Sequence, residues 1–510
     1  MNSISRRKKV IFFLKSVFKK KSNKIDLSLF LIALITVLFF IPVFLITIKA
    51  ASPYVRADDW RFVNLYLEPL FSGDFELTIL WSDPVHPMPI YAFLYVLSAK
   101  LFNLQIHYIA WLSIFFQLLL GYLILKSVNR SFKNTFSKHV FLITSFIGIS
   151  TYIFSFVNPQ AYFWPILTAC FAGLVFVYLA AYYIDYYLLK SLNKKLSIKK
   201  FLVLGFLIVL SGLLFSDWTF IFGAALLTVI MLIIILNRIS RKKSLQIGIV
   251  ITVSLIIGYI IISFLLIEKP RSLHCSNIGL NILPIDNFLL TFKSFALGQF
   301  SGVINYKWLE QGLKFNENAI IFLALIFMFT YLFVFALYFY KKLYLKSILP
   351  PSMMLFSLYF LISVLIFRYN PIEYGMFCMV IPRYVIFYQI GIIGFIWGFY
   401  LLMAHQERNR KNRIVQKSIV VFVTVLLFGI WMIHLRIAIH KVNILRSKYP
   451  EVSRNIRLKL HDNSVKAWWS NQPGRDISRQ LKFLHQFKLN VFAPNYPYPK
   501  LDTMNEHKKK

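Results

Sequence analysis

Residues 27–48 read LSLFLIALITVLFFIPVFLITI, a run without one charged side chain. At about 1.5 Å per residue, a helix of that length reaches roughly 30 Å, the thickness of a bilayer's hydrocarbon core. No water is there to bond a bare peptide group, so the run must be helical. It is followed by KAASPYVRADDWR, residues 49–61, where two adjacent carboxylates, Asp58 and Asp59, stand just beyond the span. Upstream, the tail 1–26 carries nine Lys and Arg between Arg6 and Lys24. Such a tail stays in the cytoplasm, so the span points outward and the acidic pair opens a non-cytoplasmic loop. The run is too long for a cleaved leader and has no small-residue cleavage pattern. It reads as a signal anchor.

The same pattern continues along the 510 residues, which are 58% hydrophobic and only 15% charged. Soluble domains carry roughly 25% charged residues. Further apolar blocks fall at about 107–125, 139–157, 162–189, 201–216, 218–237, 244–266, 318–340, 347–367, 383–403 and 418–435. The tracts between them alternate in charge. Those at 126–138, 190–200, 238–243, 341–346 and 404–417 hold 4, 5, 4, 3 and 5 Lys or Arg; with the tail they account for 30 of the chain's 57. The tracts on the opposite side are poor in them. Segment 89–102 is apolar but short and interrupted by Lys100. If it crossed the membrane, every later basic tract would change sides, so it is expected to lie on the surface as an interfacial helix. The expected fold is therefore all-α, a polytopic membrane protein of about 11 transmembrane helices with a large outer loop after the first. Its parts are the basic cytoplasmic tail 1–26, a transmembrane domain 27–437 with outer loops 49–106 and 267–317, and an extracytoplasmic segment 438–510.

The net charge of +37 is not a nucleic-acid signal, because it sits in short tracts between apolar blocks. Topology and contact with anionic membrane lipids account for it. Cys170 lies inside a span; Cys275 and Cys378 both fall in outer loops and are candidates for a disulfide. Three scattered cysteines make neither a disulfide framework nor a zinc site. No internal repeat supports a transporter built from inverted halves.

Chemistry concentrates in the first outer loop, which holds six of the 20 acidic residues: Asp58, Asp59, Glu68, Asp74, Glu76 and Asp83. One carboxylate of the adjacent pair could take a proton from an acceptor hydroxyl or amine. The pair could instead ligate a hard divalent cation, Mg or Mn, that neutralises a phosphate leaving group. The competing account is a solvated acidic loop balanced by Arg56 and Arg61. Further on, Trp81-Ser82-Asp83-Pro84-Val85-His86-Pro87-Met88-Pro89 is stiffened by three prolines, which pin His86 ahead of the short helix. A third cluster is Arg368-Tyr369-Asn370-Pro371-Ile372-Glu373-Tyr374, followed by Arg383-Tyr384 at the start of a late span. A guanidinium at that depth is costly unless paired or facing a wet cavity, and its fork suits phosphate; ordinary snorkelling at a helix end is the alternative. Asp217-Trp218 marks a tight outer turn, with Asp217 as a helix N-cap. Asp185, His434 and His440 read as interfacial.

With these pieces in place, the layout of residues 25–437 resembles the GT-C class of membrane glycosyltransferases. The basic tail, the single span, the outer loop opening with Asp58-Asp59, the His86-Pro87 stretch before an interfacial helix and the late Arg383-Tyr384 pair carry the resemblance. The chain departs from the class in lacking a Trp-Trp-Asp signature (Trp468-Trp469-Ser470 stands instead) and a Glu-His-Arg pattern in the first loop. The resemblance implies a polyprenyl-phosphate-sugar donor, a glycan, lipid or protein acceptor, and outer-face transfer. It implies Asp58 and Asp59 as catalytic carboxylates and Arg383 as the holder of the lipid phosphate. Trp60, Arg61, His86, Arg368, Glu373 and Tyr384 complete the expected substrate-binding set. A bacterial inner membrane is the expected location. Other classes remain open: a flippase for lipid-linked sugars, a polysaccharide polymerase, an acyltransferase, or an inactive scaffold.

Overall fold

The computed structural model describes residues 27–55, 59–82, 89–132, 138–157, 165, 167–190, 198–236, 241–265, 285–367, 369–381, 384–405, 410–462 and 476–498. Among them the chain is helical, without a β-strand. The long helices are α1 (Leu27–Ala50), α2 (Pro89–Phe102), α3 (His107–Ser131), α4 (Lys138–Ile153), α5 (Leu167–Lys190), α6 (Ile198–Ile235) and α7 (Arg241–Leu265). They continue as α8 (Ile285–Ser301), α9 (Glu317–Tyr340), α10 (Leu349–Phe367), α11 (Val385–His405), α12 (Arg410–Leu458) and α13 (Ser478–Gln486). Nine helical stretches among the described residues are long and apolar enough to cross a membrane. The two further spans expected from the sequence correspond to shorter apolar helices, His139–Ile153 and Leu202–Leu213.

Neighbours in the bundle run α1–α3–α5–α6–α10–α11–α4–α12 and back to α1, with α7 on α6 and α9 on α10 and α11. In the centre lies α11, of whose span 89% is buried, against 22% for the stretch Ile414–His461 at the periphery. Glycine makes this close packing feasible. A Cβ on Gly391 would fall 1.9 Å from Ser357 Oγ, and one on Gly394 would fall 2.6 Å from the Pro350 carbonyl. Outward faces such as Phe322, Phe329 and Phe333 of α9 stay exposed, as lipid contact requires.

Hydrogen bonds between helices and their flanking turns gather at the two ends of the bundle. On one side Trp397 Nε1 donates to Ser131 Oγ at 2.9 Å and Tyr338 Oη to the Ser347 carbonyl at 2.8 Å. On the other, Trp431 Nε1 donates to the Phe154 carbonyl at 2.7 Å and Asn305 Nδ2 to the Val157 carbonyl at 3.2 Å.

The turn expected near 216–217 is present in an unexpected form. Helical backbone runs through Ile198–Ile235 without interruption, yet Ser211 Oγ and Thr219 Oγ1 lie 3.1 Å apart. Eight residues of straight helix rise about 12 Å, so the chain folds back on itself between them. Gly205 faces Ser254 and Gly223 faces Leu255, which puts both arms of α6 at one depth against α7.

Several residues and segments are placed in ways the sequence did not show. Asp185, near the end of its span, is fully buried in protein, in an ion pair with Arg130; its Oδ1 accepts hydrogen bonds from the Ile348 amide at 2.6 Å and Ser347 Oγ at 3.2 Å. These bonds tie α3, α5 and the start of α10 together at one end. His434 is likewise buried, and its Nε2 accepts the Asn305 amide at 3.4 Å. The second outer loop contains a helix: α8 packs Ala296, Leu297 and Gln299 inward, and Ser357 Oγ donates to Gln299 Oε1 at 3.2 Å. The last helix also runs beyond the expected 418–435, to Leu458. Of the candidate disulfide, Cys378 is buried and Cys275 lies outside the described residues.

Candidate active site

Past α1 the chain turns at 51–55 and enters a short helix, Asp59–Phe62, that loosens into a π-turn at Val63–Leu67 before closing as Glu68–Ser72. Single π-turns inside helices recur at functional sites. Asp59 is fully buried. The Tyr91 hydroxyl donates to its Oδ1 at 2.6 Å, and the Tyr95 hydroxyl donates to its backbone carbonyl at 3.1 Å. Both tyrosines come from α2, one turn apart, and so share a face. Their rings enclose Phe62, at centroid distances of 5.3 and 5.8 Å, and Phe62 stacks on Tyr66 at 5.4 Å. Burial, reinforced by the charge of Asp59, pushes both tyrosine hydroxyls well above their usual range, so both remain protonated donors.

Trp60 is 1% exposed, and its Nε1 has no hydrogen-bond partner among the described residues. The Arg61 guanidinium stands 4.9 Å over the Phe62 ring. The α2 helix itself is as short as expected: fourteen residues reach about 21 Å, less than a bilayer core. It buries Tyr91, Ala92, Tyr95 and Ala99 and exposes Phe93 and Leu101, the two-faced pattern of a helix laid against a bundle.

The late cluster forms a second group. Asn370 caps a short helix, Pro371–Tyr374, by accepting the Ile372 amide at 3.0 Å, and Gly375 turns the chain with φ +79°. Tyr384 is buried, 5.7 Å from Phe360 and 6.3 Å from Tyr369. Glu373 and Tyr374 are exposed, and a hydrogen bond to Glu373 raises the Tyr374 hydroxyl's pKa. The two groups connect through the bend of α6. Trp81 Nε1, at the end of the first loop's 3-10 turn, donates to the Leu213 carbonyl at 3.1 Å. Trp218, on the returning arm, meets Phe387 of α11 at 4.9 Å, and Phe387 stacks on Phe360 at 4.3 Å.

Thus Asp59, Trp60 and Arg61 stand together, and Glu373 and Tyr384 belong to the second group. Asp58, His86, Arg368 and Arg383 lie outside the described residues. So does half of the expected Mg or Mn site at Asp58 and Asp59. Among the described residues no three His, Cys, Asp or Glu side chains gather as a metal site. Sequence reasoning missed Tyr91 and Tyr95; their spacing of four on a short apolar helix was the available signal. It also missed the carboxy-terminal segment, which sits on the first loop. Arg479 forks onto Glu68, Nε to Oε1 at 3.0 Å and a terminal nitrogen to Oε2 at 2.7 Å. The Tyr449 hydroxyl donates to the Ala50 carbonyl at the end of α1.

No family model matches the chain, and neither does any curated protein. Among solved structures the chain is similar to ArnT from Cupriavidus metallidurans, crystallised with undecaprenyl phosphate. The match has 11% identity, covers 93% of this chain and 90% of that chain, and has a TM-score of 0.38.

Proposed function

We propose that this integral membrane protein is a glycosyltransferase that moves a sugar from a polyprenyl-phosphate donor to a glycan, lipid or protein acceptor on the non-cytoplasmic face. One observation carries the proposal. The acidic motif after the first span is not a solvated loop: Asp59 is 0% exposed and hydrogen-bonded to Tyr91. A carboxylate held out of water is costly, and such groups concentrate at functional sites.

In this reading a carboxylate of the pair Asp58-Asp59 accepts the proton of the acceptor's nucleophile as that atom attacks the anomeric carbon. The bond to the phosphate oxygen breaks, and the lipid phosphate leaves with the bonding electron pair. Arg383 balances its growing charge, Arg368 and His86 help hold the donor, and Trp60, Arg61, Glu373 and Tyr384 shape the sugar and acceptor sites. A divalent Mg or Mn ion at the pair would supply further charge neutralisation.

A flippase needs ionisable groups along a path through the spans. Of the aspartates and glutamates in the described spans, Asp185 is buried, and it is occupied by Arg130. The deciding experiment uses purified protein in detergent, where a flippase has no turnover. Release of lipid phosphate with sugar on an acceptor supports transfer. Absence of turnover with every donor tried, alongside lipid-linked sugar movement in proteoliposomes, would refute it.

A further inference from the structure

We infer that Asn490 is a positioning residue for the acidic motif, a single amide from the far end of the chain that fixes both the entry and the exit of the first outer loop. Its side chain is 1% exposed. Oδ1 accepts the Val55 amide at 3.2 Å; Nδ2 donates to the Pro53 carbonyl at 3.1 Å and to the Leu104 carbonyl at 2.8 Å. Its backbone amide donates to the Asn103 carbonyl at 2.7 Å. Both side-chain donors are therefore used, which fixes the orientation of the amide.

The two ends it joins are the ones that matter for Asp59. Val55 leads directly into Asp58 and Asp59. Leu104 follows α2, the helix that presents Tyr91 and Tyr95 to Asp59. One side chain thus sets the relative position of the carboxylate and of its hydroxyl donors. The local backbone is strained in keeping with this: Asn103, Leu104 and Asn490 have φ of +51°, +58° and +52°. A leucine persists there only when its surroundings over-determine it.

The segment carrying Asn490 is itself anchored. Arg457 Nε donates to the Val491 carbonyl at 2.8 Å, a terminal nitrogen of Arg457 donates to the Tyr498 carbonyl at 3.2 Å, and Ser453 Oγ and Tyr496 Oη lie 2.7 Å apart. The base of this anchor is the outer end of α12, which holds α1 through Tyr449. What the positioned motif does rests on the glycosyl-transfer reading; the clamp does not.

The test uses the full chain in lipid nanodiscs. Asn490→Gly removes the side chain while tolerating the positive φ. Asn490→Asp keeps an acceptor for Val55 but loses both donations. Lys488→Gly is the control, since Lys488 shares the left-handed conformation (φ +52°) and is exposed. Hydrogen exchange and steady-state transfer are both read. Both Asn490 variants should speed exchange at 53–67 and 103–106 by about tenfold or more, leave the long helices unchanged, and lower kcat by about tenfold with donor KM nearly constant. Lys488→Gly should change neither. Unchanged loop exchange overturns the clamp. A rise in exchange throughout the bundle makes Asn490 a folding residue and also overturns it, as does loop exchange that rises while kcat holds. If the wild type transfers no sugar, the proposed function fails, and exchange alone still decides the clamp.

Discussion

The Tyr91 hydroxyl donates a 2.6 Å hydrogen bond to Asp59 Oδ1, joining a residue nine positions beyond the first span to a helix 32 residues further along the chain. The bond sits in a fully buried ring of Phe62, Tyr66 and Tyr95. Tyr91→Phe removes the donor and leaves the carboxylate short of a partner. A hydrogen bond to a charged group is worth about 1.5–3 kcal/mol. The variant should unfold at lower temperature in detergent and lose sugar transfer; an unchanged melting curve would contradict the role given to this bond.

The same burial makes an alkaline prediction. Tyr91 and Tyr95 have pKa values well above the ordinary 10.0 in the folded chain. The unfolded chain therefore releases these protons first. Stability from this source is complete below about pH 10 and is lost as pH rises through the raised folded values. Melting followed from pH 8 to 11 should show a decline setting in near pH 10. Replacing both tyrosines by phenylalanine should flatten that decline; an identical slope in the double variant would contradict it.

At the opposite end of the bundle, Asp185 is fully buried against Arg130 and bonded to Ser347 and the Ile348 amide. Removing one partner of a buried pair costs about 3–5 kcal/mol, because the other charge stays uncompensated. Asp185→Ala and Arg130→Ala should each collapse the yield of folded protein, whereas replacing both by apolar residues should restore part of it. A double variant that loses as much as the two singles added together would show that the two sites act independently and contradict the pairing.

The bend in α6 makes the expected topology testable. With the native cysteines replaced, Ser216→Cys should react with a membrane-impermeant maleimide in intact cells, and Ser240→Cys only after permeabilisation. The reverse pattern would invert the chain and place the acidic motif in the cytoplasm.

Much of this architecture was legible in the sequence because lipid leaves so few options. Uncharged runs long enough to span had to be helices, and alternating basic tracts such as 126–138 and 341–346 sorted their ends. Bonds such as Trp397 to Ser131 join ends so sorted. The short helix Pro89–Phe102 was legible for the same reason, since crossing would have reversed every later tract. The chain reversal before Trp218 was also visible, although the helical backbone running through it was not. What could not be read was partnership. Asp185 looks interfacial at the end of an apolar run, and only the three-dimensional approach of Arg130 and Ile348 makes its burial tolerable. Helix α8 was hidden because Asp286, Asn287 and Lys293 break its apolar residues into runs too short to span. Asn490 carries no local signal, for its partner Val55 lies 435 positions away. Within the candidate site, the sequence singled out the carboxylates as candidates but not the tyrosines that hold Asp59, because hydroxyl donors are indistinguishable from the other aromatic residues of a membrane interface.

The most direct test of the central claim is transfer of a radiolabelled sugar from a polyprenyl-phosphate donor by the purified protein, comparing wild type with Asp58→Asn and Asp59→Asn at matched expression and melting temperature. The account predicts transfer by the wild type and loss of about 10²-fold or more when the catalytic carboxylate is neutralised. Equal transfer by all three proteins would contradict it.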